Sequence, residues 1–207
     1  MNKKVIFALA FVAVGIISVF VYRHFSTPDI INAPSAGRTI VAFGDSLVRG
    51  VGADEGKDFV SRVAEQIGRP IINMGVPGDT TRDALTRLDE VLALKPDTVI
   101  VLLGGNDYLK RIPKEETFSN LGTIVTRLQQ NGAAVLVLGV RGGALRDTYE
   151  KDFAAFARAH STGYVSNILD DILGNRDLMF DQVHPNSAGY AIVANRVTEV
   201  LIKMIVR

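Results

Sequence analysis

Thr39-Ile40-Val41-Ala42-Phe43-Gly44-Asp45-Ser46-Leu47 is an apolar run closed by a turn that carries a serine. Its β-branched and aromatic residues read as a strand, and Gly44 and Asp45 let the backbone bend sharply at the strand's C-terminal end. A serine in that position can serve as a nucleophile, with Gly50 and Gly52 keeping the next loop open to a substrate. The plainer reading is a Gly/Asp turn in which Ser46 caps a helix. The rest of the chain decides between them, by supplying or failing to supply a general base and oxyanion donors.

Outward from this stretch, short β-branched runs alternate with longer segments of helical period, without repeats or low-complexity tracts, which is the α/β pattern. Strands are expected at residues 39–43, 70–74, 98–103, 133–139 and 163–166, and helices at 58–67, 81–94, 114–130, 147–159 and 187–205. Val99-Ile100-Val101-Leu102-Leu103 and Val135-Leu136-Val137-Leu138 do not alternate, as expected of central strands covered by helices on both faces of a parallel sheet. In such a sheet the crevice lies at the C-terminal strand ends. The loops there carry Ser46, then Gly75-Val76-Pro77-Gly78-Asp79-Thr80, Gly104-Gly105-Asn106-Asp107 and Arg141-Gly142-Gly143.

Asp181-Gln182-Val183-His184-Pro185-Asn186 precedes the last helix. Of the 3 histidines, His24 abuts an apolar N-terminal run and His160 ends a helix, where a polar or cationic side chain caps carbonyls. His184 alone has a carboxylate three residues upstream and a proline beside it. A serine hydroxyl is a poor nucleophile near neutral pH and needs a base such as imidazole. His184 fits that role, and Asp181 can fix its tautomer, although an Asp in such a loop can also simply form an Asx-turn. Attack on an ester builds negative charge on oxygen, which calls for preorganised donors. Candidates are the Asn106 amide and the backbone N–H groups of Gly78 and Ser46; the alternatives are turn roles for Asn106 and Gly78.

Gly44-Asp45-Ser46-Leu47, Gly78, Gly104-Gly105-Asn106-Asp107 and Asp181-x-x-His184 resemble, in order and spacing, the four blocks of the SGNH/GDSL hydrolases. Val101-Leu102-Leu103-Gly104-Gly105-Asn106-Asp107 and Met74-Gly75-Val76-Pro77-Gly78-Asp79-Thr80 look closest to the bacterial thioesterase/lysophospholipase/arylesterase branch. The resemblance implies a three-layer αβα sandwich with a five-stranded parallel sheet of flavodoxin-like order. It implies Ser46 as nucleophile with Asp181 and His184 completing a triad, and an oxyanion hole of Ser46, Gly78 and Asn106, with no metal or other cofactor. The expected activity is hydrolysis of carboxylic esters or thioesters, such as aryl or alkyl esters or lysophospholipids, through an acyl-enzyme. The stretch from Val140 to Arg146 departs from the pattern of close relatives, where it helps to shape the acyl pocket.

Competing motifs are missing. Gly44-Asp45-Ser46-Leu47-Val48 fails G-x-S-x-G at its last position, no phosphate-binding glycine fingerprint follows the first strand, and the histidines have no zinc-site spacing. Two rival functions keep the same residues or fold: a carbohydrate or peptidoglycan O-acetylesterase of the cell envelope, and a non-catalytic membrane-tethered binding protein. With no Trp and 5 Tyr, the chain is poor in the aromatics on which sugars stack, which favours acyl esters of alcohols, phenols or lysolipids.

The 207 residues suit one domain plus a short appendage. A formal net charge of +1 without single-sign blocks leaves no electrostatic footprint for nucleic acid. The absence of cysteine excludes disulfides, thiolate metal sites and a lipid-modified cysteine. At the N-terminus Lys3 and Lys4 precede an uncharged apolar run, residues 5–22, followed by Arg23 and His24. Its length of about 18 residues suits a span better than a cleaved signal, whose apolar core is roughly 7–15 residues long. The expected organisation is an anchor or signal at 1–25, a Pro/Ala/Ser linker at 26–37 and the hydrolase domain at 38–207. The charge bias puts the catalytic domain outside the cytoplasm, on the inner membrane and facing the periplasm or exterior, or free there if the segment is cleaved. The expected partners are a small-molecule or lipid ester and the membrane.

Overall fold

Five short strands pair in parallel: β1 (Ile40–Gly44), β2 (Ile71–Gly75), β3 (Thr98–Leu102), β4 (Ala134–Leu138) and β5 (Gly163–Val165), in the order β2-β1-β3-β4-β5. The computed structural model describes residues 29–140 and 149–206. Ile40 stands opposite Ile71 on one side and Thr98 on the other, so the three strands start and end level. Every residue of β1, β3 and β4 is buried, which is why these runs carry no alternation. β2 is an edge strand and remains half-exposed.

The connecting helices are α1 (Ser46–Arg49), α2 (Phe59–Ile67), α3 (Thr81–Thr86), α4 (Leu88–Ala93), α5 (Gly105–Leu109), α6 (Lys114–Gln130), α7 (Tyr149–Ala159) and α8 (Ser187–Met204). α2 packs on α8, while α3 packs on α6, giving the two outer layers of a doubly wound sandwich. The chain reverses direction at β1/β3, which places a crevice between the loops that follow those strands.

Two expectations need correction. Residues 81–94 are two helices, because the chain breaks at Arg87, whose φ and ψ of −114° and 10° are not helical. Arg87 leaves the helical path to place its guanidinium against the ends of β1 and β2. Short helices after β1 and β3 were not expected: each is a single turn, too short to show a period.

Residues 30–37, read as linker, are seated on the N-terminal edge of the sheet. Ile31 N–H donates to the Ser161 carbonyl at 3.0 Å, and Asn32 Nδ2 donates to the carbonyls of Gln129 and Ala133 at 2.9 and 3.0 Å. Ser35 pairs with Ile205, and its hydroxyl meets that of Thr98 at 2.5 Å. Each of these backbone partners precedes a strand or ends a helix, and such groups lack partners of their own. The apolar run at 5–22 and most of the Val140–Arg146 departure lie outside the described residues; among the described residues no helix is long and apolar enough to cross a membrane.

Candidate active site

Ser46 follows β1 with only Asp45 between them, as the first residue of α1. Asp45 caps that helix, its carboxylate accepting the Leu47 N–H at 2.9 Å. Capping therefore falls to Asp45 and leaves the Ser46 hydroxyl for another partner. That partner is His184, whose Nε2 lies 2.9 Å from Ser46 Oγ. On the other side of the ring, Nδ1 lies 2.7 Å from Asp181 Oδ2.

Asp181 makes the contacts that both readings of it require. Its Oδ1 accepts the N–H groups of Val183 and His184, each at 2.8 Å, so the Asx-turn is present while Oδ2 holds the imidazole. Phe180 N–H donates to the His184 carbonyl at 2.9 Å and closes the loop on itself. Burial pushes the Asp181 pKa up, but the hydrogen bonds from the imidazole and the two amides outweigh it, holding the carboxyl below its ordinary value. The acid is thus ionised and aimed at the ring, the condition for stabilising an imidazolium.

Gly52 has a role different from that expected. A Cβ there would lie 2.6 Å from the Pro185 carbonyl oxygen and 2.7 Å from Phe180 Cβ, so the glycine makes room for the His184 loop. At Gly78, φ of +85° makes any side chain strained although the space around it is open. Its carbonyl accepts from Lys110 Nζ at 2.9 Å.

Asn106 leads into the cleft from α5, its Nδ2 donating to the Asp79 carbonyl at 2.9 Å and more weakly to Asp45 Oδ2 at 3.4 Å. Two buried acids support it. Asp107 accepts the Thr81 N–H at 2.9 Å and the Thr81 hydroxyl at 2.5 Å, tying α5 to α3. Asp79 pairs with Arg87 at 2.6 Å, and the same guanidinium donates to the carbonyls of Met74 and Gly44 at 2.9 and 2.8 Å while lying 4.5 Å from the Phe43 ring centroid. Sequence reasoning missed Arg87. Its signal was a cation three residues after Ala84 and beside Leu88, on the helix face that buries Ala84, Leu88 and Val91.

Asp45 was missed as well, having been read only as a turn residue. It is buried, and desolvation raises its pKa to about 7, with Asp79 adding to the rise and the Leu47 amide and His184 opposing it.

Ser46, Gly78, Asn106 and His184 line one cleft of about 360 Å³. Its other walls are mostly apolar, formed by Leu47, Val51, Leu109, Val140, Leu169 and Leu173. Leu109, Leu173 and Val183 remain 60%, 41% and 39% exposed at its edge. His160 is elsewhere, its ring 4.3 Å from that of Phe156, and burial lowers its pKa. Among the described residues no group of His, Cys, Asp and Glu is placed to hold a metal ion.

With this geometry in place, comparison gives a direct answer: the family model for the GDSL-like lipase/acylhydrolase family matches residues 42–192. The chain belongs to that family. It is 27% identical over 168 residues to the esterase TesA of Pseudomonas aeruginosa, covering 75% of this chain and 84% of that one. To the arylesterase of Vibrio mimicus it is 26% identical over 183 residues, covering 83% and 92%. Among solved structures, a crystal structure of TesA superimposes with a TM-score of 0.73 at 27% identity, covering 79% of this chain and 97% of that one. The protein is accordingly a GDSL-family ester hydrolase of the serine type, and the expected α/β fold with its five-stranded parallel sheet is the one observed.

Proposed function

We propose that the protein cleaves acyl esters or thioesters through an acyl-enzyme on Ser46, with Asp181 and His184 as its triad partners. The observation that carries this reading is the unbroken chain Asp181 Oδ2, His184 Nδ1, His184 Nε2, Ser46 Oγ, with links of 2.7 and 2.9 Å at the wall of the apolar cleft. Ser46 Oγ attacks the carbonyl carbon as its proton passes to His184 Nε2, and Asp181 steadies the resulting imidazolium. The oxyanion is met by the N–H groups of Ser46 and Gly78 and the Asn106 amide. As the tetrahedral species collapses, the leaving alcohol or thiol takes the proton from Nε2. Water then repeats the sequence on the acyl-enzyme, and Ser46 recovers its proton.

Aliphatic lining favours an acyl chain of an aryl, alkyl or lysolipid ester over an acetylated sugar, because among the described cleft residues Tyr108 is the one Phe, Tyr or Trp. Residues 5–22 act as a retained membrane anchor in this reading, with the hydrolase domain on the periplasmic or outer side, on the strength of their length and flanking charges. A panel of p-nitrophenyl esters from acetyl to palmitoyl, run beside acetylated xylan and lysophosphatidylcholine, tests the substrate class. Turnover rising with acyl length supports it; preference for acetylated xylan overturns it.

A further inference from the structure

The chain enters the domain at the edge of the sheet opposite to the cleft. Residues 29–37 cross the N-terminal edge, bonding successively to Ser161 before β5, Ala133 before β4 and Thr98 at the start of β3. Arg69, just before β2, holds the carbonyls of Ala36 and Gly37 at 3.2 and 3.3 Å. The segment is clamped from the C-terminal end of α8 as well: Ser35 N–H donates to the Met204 carbonyl and Val206 N–H to the Ser35 carbonyl, both at 2.8 Å. Ser46, Asn106 and His184 all follow strands or precede α8, at the C-terminal edge.

Magnitudes decide what this separation means. A domain of about 170 residues has a radius of gyration of roughly 15 Å, and so measures about 40 Å across. Between Tyr22, the last residue of the apolar run, and Asp29 stand only residues 23–28, which span about 25 Å at full extension. That reach is shorter than the domain is wide, and a path around its surface is longer still. The mouth meets the anchoring bilayer only if residues 29–37 come off the sheet, breaking the hydrogen bonds of Asn32 and Ser35.

Resting on the reading of residues 5–22 as a retained anchor, we infer that the cleft faces away from the bilayer that holds the chain. Its substrate is then an ester arriving from the aqueous side, dispersed or carried by a structure facing that membrane, and not a lipid of the anchoring bilayer itself. The apolar wall receives the acyl chain of a delivered molecule instead of extracting one from beneath the domain.

The test uses the full-length protein reconstituted into phosphatidylcholine vesicles with three fluorogenic esters of the same acyl group. One is soluble, one is attached to a phospholipid headgroup by a spacer of a few bonds, and one by a long poly(ethylene glycol) spacer. The soluble and long-spacer esters are expected to be cleaved. The short-spacer ester is expected to be cleaved at least about tenfold more slowly, since effective concentration collapses when a tether cannot span the gap. A variant with a long Gly/Ser stretch inserted after His24 should regain the short-spacer reaction. Equal cleavage of short- and long-spacer esters by the native chain overturns the orientation while leaving the esterase and the anchor intact. Protein that does not stay with the vesicles refutes the anchor, and the orientation with it; failure on the soluble ester refutes the catalytic reading.

Discussion

Arg87 Nε lies 2.6 Å from Asp79 Oδ2, and the backbone carbonyl of the same Asp79 receives the Asn106 amide at 2.9 Å. One ion pair, with side chains 13% and 12% exposed, therefore sets the position of the side chain proposed to meet the oxyanion. Because the guanidinium also takes the carbonyls of Gly44, the last residue of β1, and of Met74, next to the last residue of β2, it fixes Asp79 relative to the sheet. Arg87→Lys keeps the charge but not the fork of donors. It should lower kcat by about tenfold with little change in KM, as expected when a transition-state donor is displaced. Combined with Asn106→Ala it should add almost nothing; a full additional tenfold loss in kcat/KM would show that Arg87 acts independently of Asn106.

Asn106→Ala itself should cost about 10²–10³ in kcat at nearly constant KM. A change confined to KM would reassign Asn106 to ground-state binding. Gly78→Val should be more damaging than Gly78→Ala, because a β-branched residue tolerates φ of +85° least. Circular dichroism and Tm of each variant separate loss of the hole from loss of the fold.

Ser46→Ala and His184→Ala should each abolish turnover, by as much as about 10⁶ in kcat, and the double variant should be no worse than either. Asp181→Asn keeps an oxygen for the Val183 and His184 amides but can favour the wrong imidazole tautomer, so a loss of roughly 10⁴ is expected. Turnover is read with a soluble p-nitrophenyl ester. Near-native rates for Asp181→Asn would mean that His184 is oriented by another group.

Asp45 makes the stability depend on pH. Its pKa is near 3.8 in the unfolded chain and about 7 in the folded one. Below the first value both states hold the proton. Between the two, the unfolded chain has released it and the folded chain has not, so stability falls as pH rises through this window and stays at the lower level above it. Three pKa units set an upper bound of about 4 kcal/mol. Asp181 works in the opposite sense, its contribution being lost only below the ordinary carboxylate range. Urea midpoints measured from pH 4.5 to 8 should fall less for Asp45→Asn than for the native chain. Parallel curves would show that the buried acid does not titrate in the window.

How far the sequence could carry these conclusions follows from the range of the forces involved. Buried β-branched runs announce β1, β3 and β4 because a strand covered on both faces excludes polar residues locally. Asp181 and His184 were legible because their hydrogen bonds close within three residues, and the pairing with Ser46 because an imidazole needs a hydroxyl to serve. Arg87 was hidden for the opposite reason. Its acceptors are Asp79 and two carbonyls up to 43 positions away, and a carbonyl leaves no mark in a sequence. The same holds for the side chains of Asn32 and Ser35, whose partners lie 63 to 101 positions further along the chain. A Pro/Ala/Ser composition read as linker is equally suited to lying flat over strand ends.

That last difference gives a test of where the domain begins. A chain starting at Asp29 retains the seat of residues 30–37, whereas one starting at Arg38 loses the two Asn32 bonds and the Ser35 pairing with Met204 and Val206. It also leaves the hydroxyl of Thr98, a fully buried residue, without its Ser35 partner. At about 1 kcal/mol net for each hydrogen bond, and somewhat more for a buried group left unsatisfied, the shorter chain should be less stable by roughly 3–5 kcal/mol. For a domain of this size each kcal/mol shifts Tm by about 2–4 °C, so differential scanning calorimetry should show a loss of roughly 6–20 °C. Because the seat lies at the edge of the sheet opposite to Ser46 and His184, kcat on a soluble ester well below either transition should be the same for both chains. Equal Tm values would show that residues 29–37 rest on the sheet without stabilising it. A fall in kcat at unchanged Tm would mean that the two edges communicate, which no hydrogen bond described between them provides for.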